Sequence, residues 1–320
     1  MMPTVSVVMA TYNGEKYIET QLASIRSQTH QPDEVLICDD GSTDATVALV
    51  AAFIDRYQLH NWTMEVNPHN LGWKRNFWQG LNRASGDFIF PCDQDDAWVE
   101  TKIAAQLTIM LAHPDMMLLA SSYTPFQDGE TPPVIAQTFG GVTPIGLHAL
   151  LEVTRPGCSF GIRKALLTQA NVVWTPDQPY DFTLWNCAIL SHSGYLFQRS
   201  LIRWRVHTDS ADFNAVRSFG QFVGHPVRTY NLAYRRKLAF LTFNCRFLQN
   251  VRNRLTASWQ PILAPQLDLL EKRRQYLMTF DQRLWRQTYR TYRPLINRRQ
   301  RWQDRYFFLG QFLRTMAVSL

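Results

Sequence analysis

Short β-rich runs alternate with helical text along the front of this chain, and that alternation leaves few folds open to it. Val5–Ala10, Glu34–Cys38, Trp62–Val66, Phe88–Phe90 and Met116–Ser121 read as strands. Glu15–Ser27, Asp44–Tyr57, Lys74–Ala84 and Val99–Ala112 read as the helices between them, the second introduced by the cap-like Ser42-Thr43-Asp44. Strands and helices in this order close into a parallel, doubly wound sheet through right-handed crossovers, with both faces covered. A ligand of such a sheet sits at the carboxyl ends of its strands.

One of those ends is chemically unusual. Asp93-Gln94-Asp95-Asp96 follows the apolar run Phe88-Ile89-Phe90 and precedes Trp98. Carboxylates crowded this closely repel one another, so the segment suits a hard divalent cation, Mg²⁺ or Mn²⁺, shared with substrate phosphates. The competing reading is a solvated acidic turn that caps the helix starting near Val99.

Thr124–Thr143 is rich in Pro, Gly and polar residues and reads as a loop or hairpin excursion. After it we expect a helix near Ile145–Val153, a strand at Ser159–Ile162, helices at Lys164–Ala170 and Asp181–Leu190, and strands at Tyr195–Gln198 and Leu201–Val206. From about His225 the text becomes long and helical, with Arg and aromatics interleaved, as in Tyr234-Arg235-Arg236-Lys237 and Arg298-Arg299-Gln300-Arg301-Trp302. The expected organisation is therefore a catalytic α/β domain over 1–224 and a mainly α-helical, basic-aromatic extension over 225–320.

Charge divides at nearly the same place. Residues 1–198 carry 10 Lys+Arg against 20 Asp+Glu, whereas residues 199–320 carry 23 against 6, and the two parts give the overall +7. Such asymmetry points to an anionic partner for the back part, either nucleic acid or a membrane surface. No nucleic-acid module is recognisable, so a helix lying on a membrane surface is the preferred reading over an ordinary solvated face. The five cysteines are odd in number and scattered, as expected for reduced thiols in a cytosolic protein. The first strand starts too early for a secretory leader, and no apolar stretch is long enough to span a bilayer.

Taken together, the strand ends resemble a family. Thr11-Tyr12-Asn13-Gly14, Cys38-Asp39-Asp40-Gly41-Ser42-Thr43-Asp44, Asn70-Leu71-Gly72 with Arg75-Asn76, and Gly86-Asp87 leading to Asp93-Gln94-Asp95-Asp96 are similar in order and spacing to the family 2 glycosyltransferases of the GT-A fold. The resemblance implies that Thr11, Tyr12 and Asn13 line a nucleotide pocket in which Asp39 or Asp40 accepts a base N–H. Arg75 would then meet base or phosphate, Asp93 the ribose, and Asp95 and Asp96 a metal bridging the donor diphosphate. Gly157-Cys158-Ser159-Phe160 followed by Tyr180-Asp181-Phe182-Thr183-Leu184-Trp185 resembles the bacterial rhamnosyltransferase-like branch, where a Gly-Cys segment precedes His-Asp-Trp-Trp. Tyr180 replaces that His and Phe182 the first Trp, so Asp181 is the expected catalytic base, with a helix-capping role as its rival. Trp204-Arg205-Val206-His207 is similar to the Tyr-Arg-x-His segment that ends the domain in this branch, implying Arg205 on phosphate and His207 on the metal or diphosphate.

What the resemblance implies is an inverting, metal-dependent transferase for bacterial surface polysaccharide. It would take a UDP- or dTDP-linked donor and a lipid-diphosphate-linked saccharide acceptor, and sit peripherally on the cytoplasmic membrane without touching nucleic acid. A sugar-nucleotide nucleotidyltransferase and a non-catalytic membrane-associated scaffold are the alternatives. The first would want a Gly-rich phosphate loop after the first strand, which Thr11-Tyr12-Asn13-Gly14 is not.

Overall fold

Nine strands form one sheet among the described residues, with helices on its faces. The computed structural model describes residues 3–136, 140–206, 226–254, 260–279 and 281–295. The chain divides into two compact units, Met1–His207 and Thr208–Leu320.

In the first unit β1 (Val5–Thr11), α1 (Ile18–Arg26), β2 (Glu34–Asp39), α2 (Thr46–Tyr57), β3 (Trp62–Val66), α3 (Trp73–Arg83) and β4 (Phe88–Cys92) follow the expected alternation. These strands lie parallel in the order β3-β2-β1-β4, with Thr11 opposite Asp39. β1 is central and covered on both faces, which is why Val5, Val7, Val8 and Met9 run almost unbroken and are all buried. Helical packing closes one face around Ile18, Leu22 and Ile25 of α1 with Val50 and Phe53 of α2.

Beyond β4 the sheet becomes mixed rather than purely parallel. β5 (Ala97–Trp98), α4 (Lys102–Ala112), β6 (Leu118–Gln127), β7 (Val142–Pro144), β8 (Phe160–Arg163), α5 (Lys164–Val173), α6 (Tyr180–Leu190) and β9 (Gly194–Val206) complete the unit. β8 runs antiparallel between β4 and β6, β9 lies parallel to β6, and β5 and β7 run antiparallel to β9. The two strands expected at Tyr195–Gln198 and Leu201–Val206 are a single strand, β9. Register shifts against β6 around Ser122 absorb the Arg199-Ser200 irregularity.

The helix expected near Ile145–Val153 is a correction. Only a single 3₁₀ turn forms, Leu147–Ala149, and Leu151 has a left-handed φ of 67°. α6 diverts the segment: Asn186 Oδ1 accepts from the Leu151 N–H at 2.6 Å and Trp185 Nε1 donates to the Ala149 carbonyl at 3.0 Å. Within Thr124–Thr143, β6 runs on to Gln127 and β7 starts at Val142, so that excursion is partly strand.

The second unit is helical where described: α7 (Pro226–Arg254), α8 (Gln260–Thr279) and α9 (Gln282–Thr291). α7 packs on α8 and α8 on α9. Leu241, Phe247, Leu248 and Val251 of α7 are buried, while Arg235, Arg236, Phe240 and Arg246 are exposed. No helix among the described residues is long and apolar enough to cross a membrane. The expected boundary at 224/225, the Arg298–Trp302 run and His207 lie outside the described residues.

Candidate active site

Thr11 ends β1, and the chain turns through Tyr12 and Asn13, which has a φ of 47°. Asn tolerates that left-handed geometry better than most residues. Its carbonyl-type Oδ1 accepts from the Thr43 N–H at 2.9 Å, which ties this turn to the loop entering α2. Tyr12 and Asn13 are exposed, whereas Thr11 is buried and donates its hydroxyl to Asp39 Oδ2 at 2.7 Å.

Adjacent carboxylates at the end of β2 do different work. Asp39 is fully buried, and its Oδ1 accepts from the N–H groups of Gly41 and Ser42 while Oδ2 accepts from the Thr11 and Ser42 hydroxyls. That fills the roughly four acceptor positions of a carboxylate. Asp40 turns the other way. Its Oδ1 accepts from Asn67 Nδ2 and the Leu71 N–H, and Oδ2 from the Gly72 N–H at 2.8 Å. Gly41 separates the two loops with φ at +78°, a conformation that a side chain would strain. Asn67 Nδ2 also donates to Asn76 Oδ1, and Asn76 Nδ2 donates to the Cys38 carbonyl, so α3 is docked on the end of β2. Arg75, in the first turn of α3, is exposed.

The acidic segment is anchored at both ends, by β4 on one side and by the pairing of β5 with β9 on the other. Gln94 grips the Tyr12 main chain, accepting from its N–H at 2.9 Å and donating to its carbonyl at 3.0 Å. Asp93 and Asp95 are half-buried; Asp96 is buried. Asp96 Oδ1 accepts from the Arg205 N–H at 2.9 Å, and its Oδ2 is buried with no hydrogen-bond partner. Ligand atoms of Asp93, Asp96 and Cys158 lie within 4.8 Å of one another. Asp95 falls outside that group, although its carbonyl accepts from Arg205 Nε at 2.8 Å.

Electrostatics follow from this crowding. Burial, and then the neighbouring Asp95 and Asp93 charges, hold the Asp96 carboxyl well above the ordinary carboxylate range. Burial first, and then Asp93 and Asp96, push the Cys158 thiol up in the same way. A buried, unsatisfied carboxylate oxygen beside a second carboxylate is an arrangement that a divalent cation relieves. The oxygen donors therefore fit Mg²⁺ or Mn²⁺.

Asp181 sits half-buried in the first turn of α6, where the helix dipole favours its negative charge, and its Oδ1 accepts from the Phe182 N–H at 2.8 Å. Pro179, not Asp181, occupies the capping position. Tyr180 is buried beside Gly157, where an added Cβ would lie 2.1 Å from the Tyr180 hydroxyl. Burial and then the charges of Asp93 and Asp181 raise that hydroxyl well above its ordinary range, so both acids act on one point. The fold thus gathers Tyr12, Asp40, Asp93, Asp96 and Asp181 around the strand ends. It commits Thr11 and Asp39 to the loops and Arg205 to the acidic segment. Gln94, Asn67 and Cys158 escaped assignment because each acts through partners far away in sequence.

A mixed sheet that carries these loops at the carboxyl ends of its parallel strands is the GT-A fold of glycosyltransferases. Residues 6–168 match the family described as Glycosyl transferase family 2, and the chain belongs to that family. The UDP-Glc:alpha-D-GlcNAc-diphosphoundecaprenol beta-1,3-glucosyltransferase WfaP of Escherichia coli is 28% identical over 223 residues, covering 67% of this chain and 81% of that protein. Matches to other curated relatives at 33–36% identity span less than half of those proteins, between 32% and 43% of their length. Among solved structures, Staphylococcus aureus TarS residues 1–349 in complex with UDP has a TM-score of 0.57 at 18% identity, with 91% of each chain covered. The mannosyltransferase PcManGT of Pyrobaculum calidifontis, in complex with GDP-Man and Mn²⁺, has a TM-score of 0.50 at 15% identity, covering 99% of this chain and 88% of that one. These two likenesses are of fold.

Proposed function

We propose that the chain is an inverting glycosyltransferase that moves a sugar from a nucleotide-sugar donor to a saccharide carried on a lipid diphosphate, in bacterial surface polysaccharide synthesis. The observation that carries this reading is that Asp40 and a carboxylate pair with an unsatisfied oxygen stand at strand ends, while Asp181, in the first turn of α6, acts on the same Tyr180 hydroxyl as Asp93. Asp40 receives the base N–H, because its Oδ2 keeps a free acceptor position and Asp39 has none. Tyr12 lines the base pocket with Asn13, Asp93 meets the ribose and Arg75 a phosphate. Asp96 and Asp93, with Asp95 beside them, hold Mg²⁺ or Mn²⁺. When bound, that ion stabilises the charge that builds on the departing nucleoside diphosphate.

Asp181 takes the proton of the attacking acceptor hydroxyl. Its place at a helix N-terminus favours the ionised form that a base requires. The acceptor class rests on the name of the E. coli relative, which specifies a diphosphoundecaprenol-linked sugar. Peripheral attachment to the inner face of the cell membrane rests on α7, which carries seven Lys+Arg and no Asp or Glu over 226–254.

Thermal stabilisation by UDP and dTDP, each with and without Mn²⁺, tests the reading. Stabilisation is expected to require Mn²⁺ and to disappear in Asp93→Ala, which removes one of the two carboxylates that would hold the ion. Asp181→Asn should keep it while losing roughly 10²–10⁴-fold in transfer rate. Stabilisation only by nucleoside triphosphates would favour a nucleotidyltransferase instead.

A further inference from the structure

Arg205 is a cation engaged by the protein on every side that its contacts define. Its guanidinium lies against the rings of Tyr17, at 4.7 Å, and Phe126, at 4.6 Å. Nε donates to the Asp95 carbonyl at 2.8 Å, and the main-chain N–H donates to Asp96 Oδ1 at 2.9 Å. Nη1 faces Asp128 Oδ1 at 3.7 Å, and the side chain is only 8% exposed. Planar stacking with an oriented fork is what a guanidinium offers and an ammonium does not.

Asp128 is itself held in place. Its Oδ2 accepts from the Tyr17 hydroxyl at 3.0 Å and from Lys16 Nζ, and its main-chain N–H donates to the Val206 carbonyl at 3.1 Å. A tight turn presents it: Gln127 donates its N–H to Glu130 Oε2, and Gly129 takes φ +85°. The segment before α1 and the end of β6 therefore meet on the guanidinium of Arg205 at the end of β9, and Arg205 alone carries that contact to the main chain of Asp95 and the carboxylate of Asp96. None of them is near another in sequence.

We propose that Asp128 and Tyr17 are positioning residues: they fix the Arg205 guanidinium, and Arg205 acts by holding Asp95-Asp96 in the conformation that faces the donor rather than by meeting phosphate itself. The inference rests on the proposed role of the acidic segment, but its first readout does not. Asp128→Asn keeps the shape and removes the charge that orients Arg205. Tyr17→Phe keeps the ring and removes one hydroxyl, so the fold is preserved even if Asp128→Asn loosens it.

The test is hydrogen–deuterium exchange of the full chain without nucleotide, followed by titration with UDP and Mn²⁺. Amides of residues 94–99 are expected to exchange about tenfold faster in Asp128→Asn, and by a smaller factor in Tyr17→Phe, with β1 to β3 unaffected. Asp128→Glu should restore part of the protection. Exchange of 94–99 unchanged in both variants overturns the proposal. Faster exchange upholds the strut whatever the titration gives. If the variants and wild type then bind the nucleotide equally, or none binds it, the failure lies with the assignment of the acidic segment to the donor.

Discussion

Lys102 is an amine placed where little around it favours a positive charge. It is fully buried on α4, donates to Gln106 Oε1 at 2.9 Å, and lies over the rings of Trp98 at 4.3 Å and Phe90 at 4.9 Å. Burial lowers its pKa from 10.5 to about 7, against a smaller opposing effect from the Cys158 and Cys92 thiols facing it. Between those two values the unfolded chain binds a proton that the folded chain does not, so stability must rise with pH across that window. The slope this one group contributes approaches about 1.4 kcal/mol per pH unit. Urea unfolding of wild type and Lys102→Met at pH 8 and pH 9 checks it: the wild type should gain on the variant by roughly that amount. Parallel behaviour of the two proteins would mean that Lys102 keeps its proton in the fold.

α6 shows how one element can set the conformation of another that is distant in sequence. Asn186 offers Oδ1 to the Leu151 N–H and donates Nδ2 to the Phe182 carbonyl at 2.7 Å, so it spans its own helix and the segment beside it. Asn186→Ala leaves a buried N–H without a partner and should cost about 1–3 kcal/mol in unfolding free energy. A change within 0.5 kcal/mol, roughly the size of an ordinary surface substitution, would show that Leu151 has another acceptor. The same contact explains where the sequence was readable and where it was not. β1 to β4 and their helices are legible because buried parallel strands impose continuous apolar runs that need no knowledge of their neighbours. Ile145–Val153 has helical text, but its backbone partners lie on Trp185 and Asn186, and local propensity carries no trace of them. The candidate site divides likewise. The acidic segment and Asp39-Asp40 are visible as clustered charge, whereas the saturation of Asp39, the free position on Asp40 and the Gln94 clamp depend on donors supplied by other loops.

At the scale of the molecule, the informative quantity is the separation of charge along the chain rather than its net value. A helix that carries seven cations and no anions repels itself, and nothing within α7 offsets that repulsion. An anionic surface would offset it, and each Lys or Arg near such a surface contributes about 1 kcal/mol. Arg235 and Arg236 are exposed and Lys237 is half-exposed next to the exposed ring of Phe240, which gives a cationic patch with an apolar foot. Reversing all three charges should therefore weaken binding to anionic vesicles by two orders of magnitude or more, by the same arithmetic. Co-sedimentation of the full chain with vesicles rich in phosphatidylglycerol, in low and high salt, measures this. Wild type should pellet at low ionic strength and be released as screening shortens to about 3 Å near 1 M salt. Arg235→Glu/Arg236→Glu/Lys237→Glu should stay in the supernatant throughout while keeping its Mn²⁺-dependent response to UDP. Equal pelleting of the two proteins, or of wild type with neutral vesicles, would make this face a solvated one. The proposed membrane attachment would then have no support in α7.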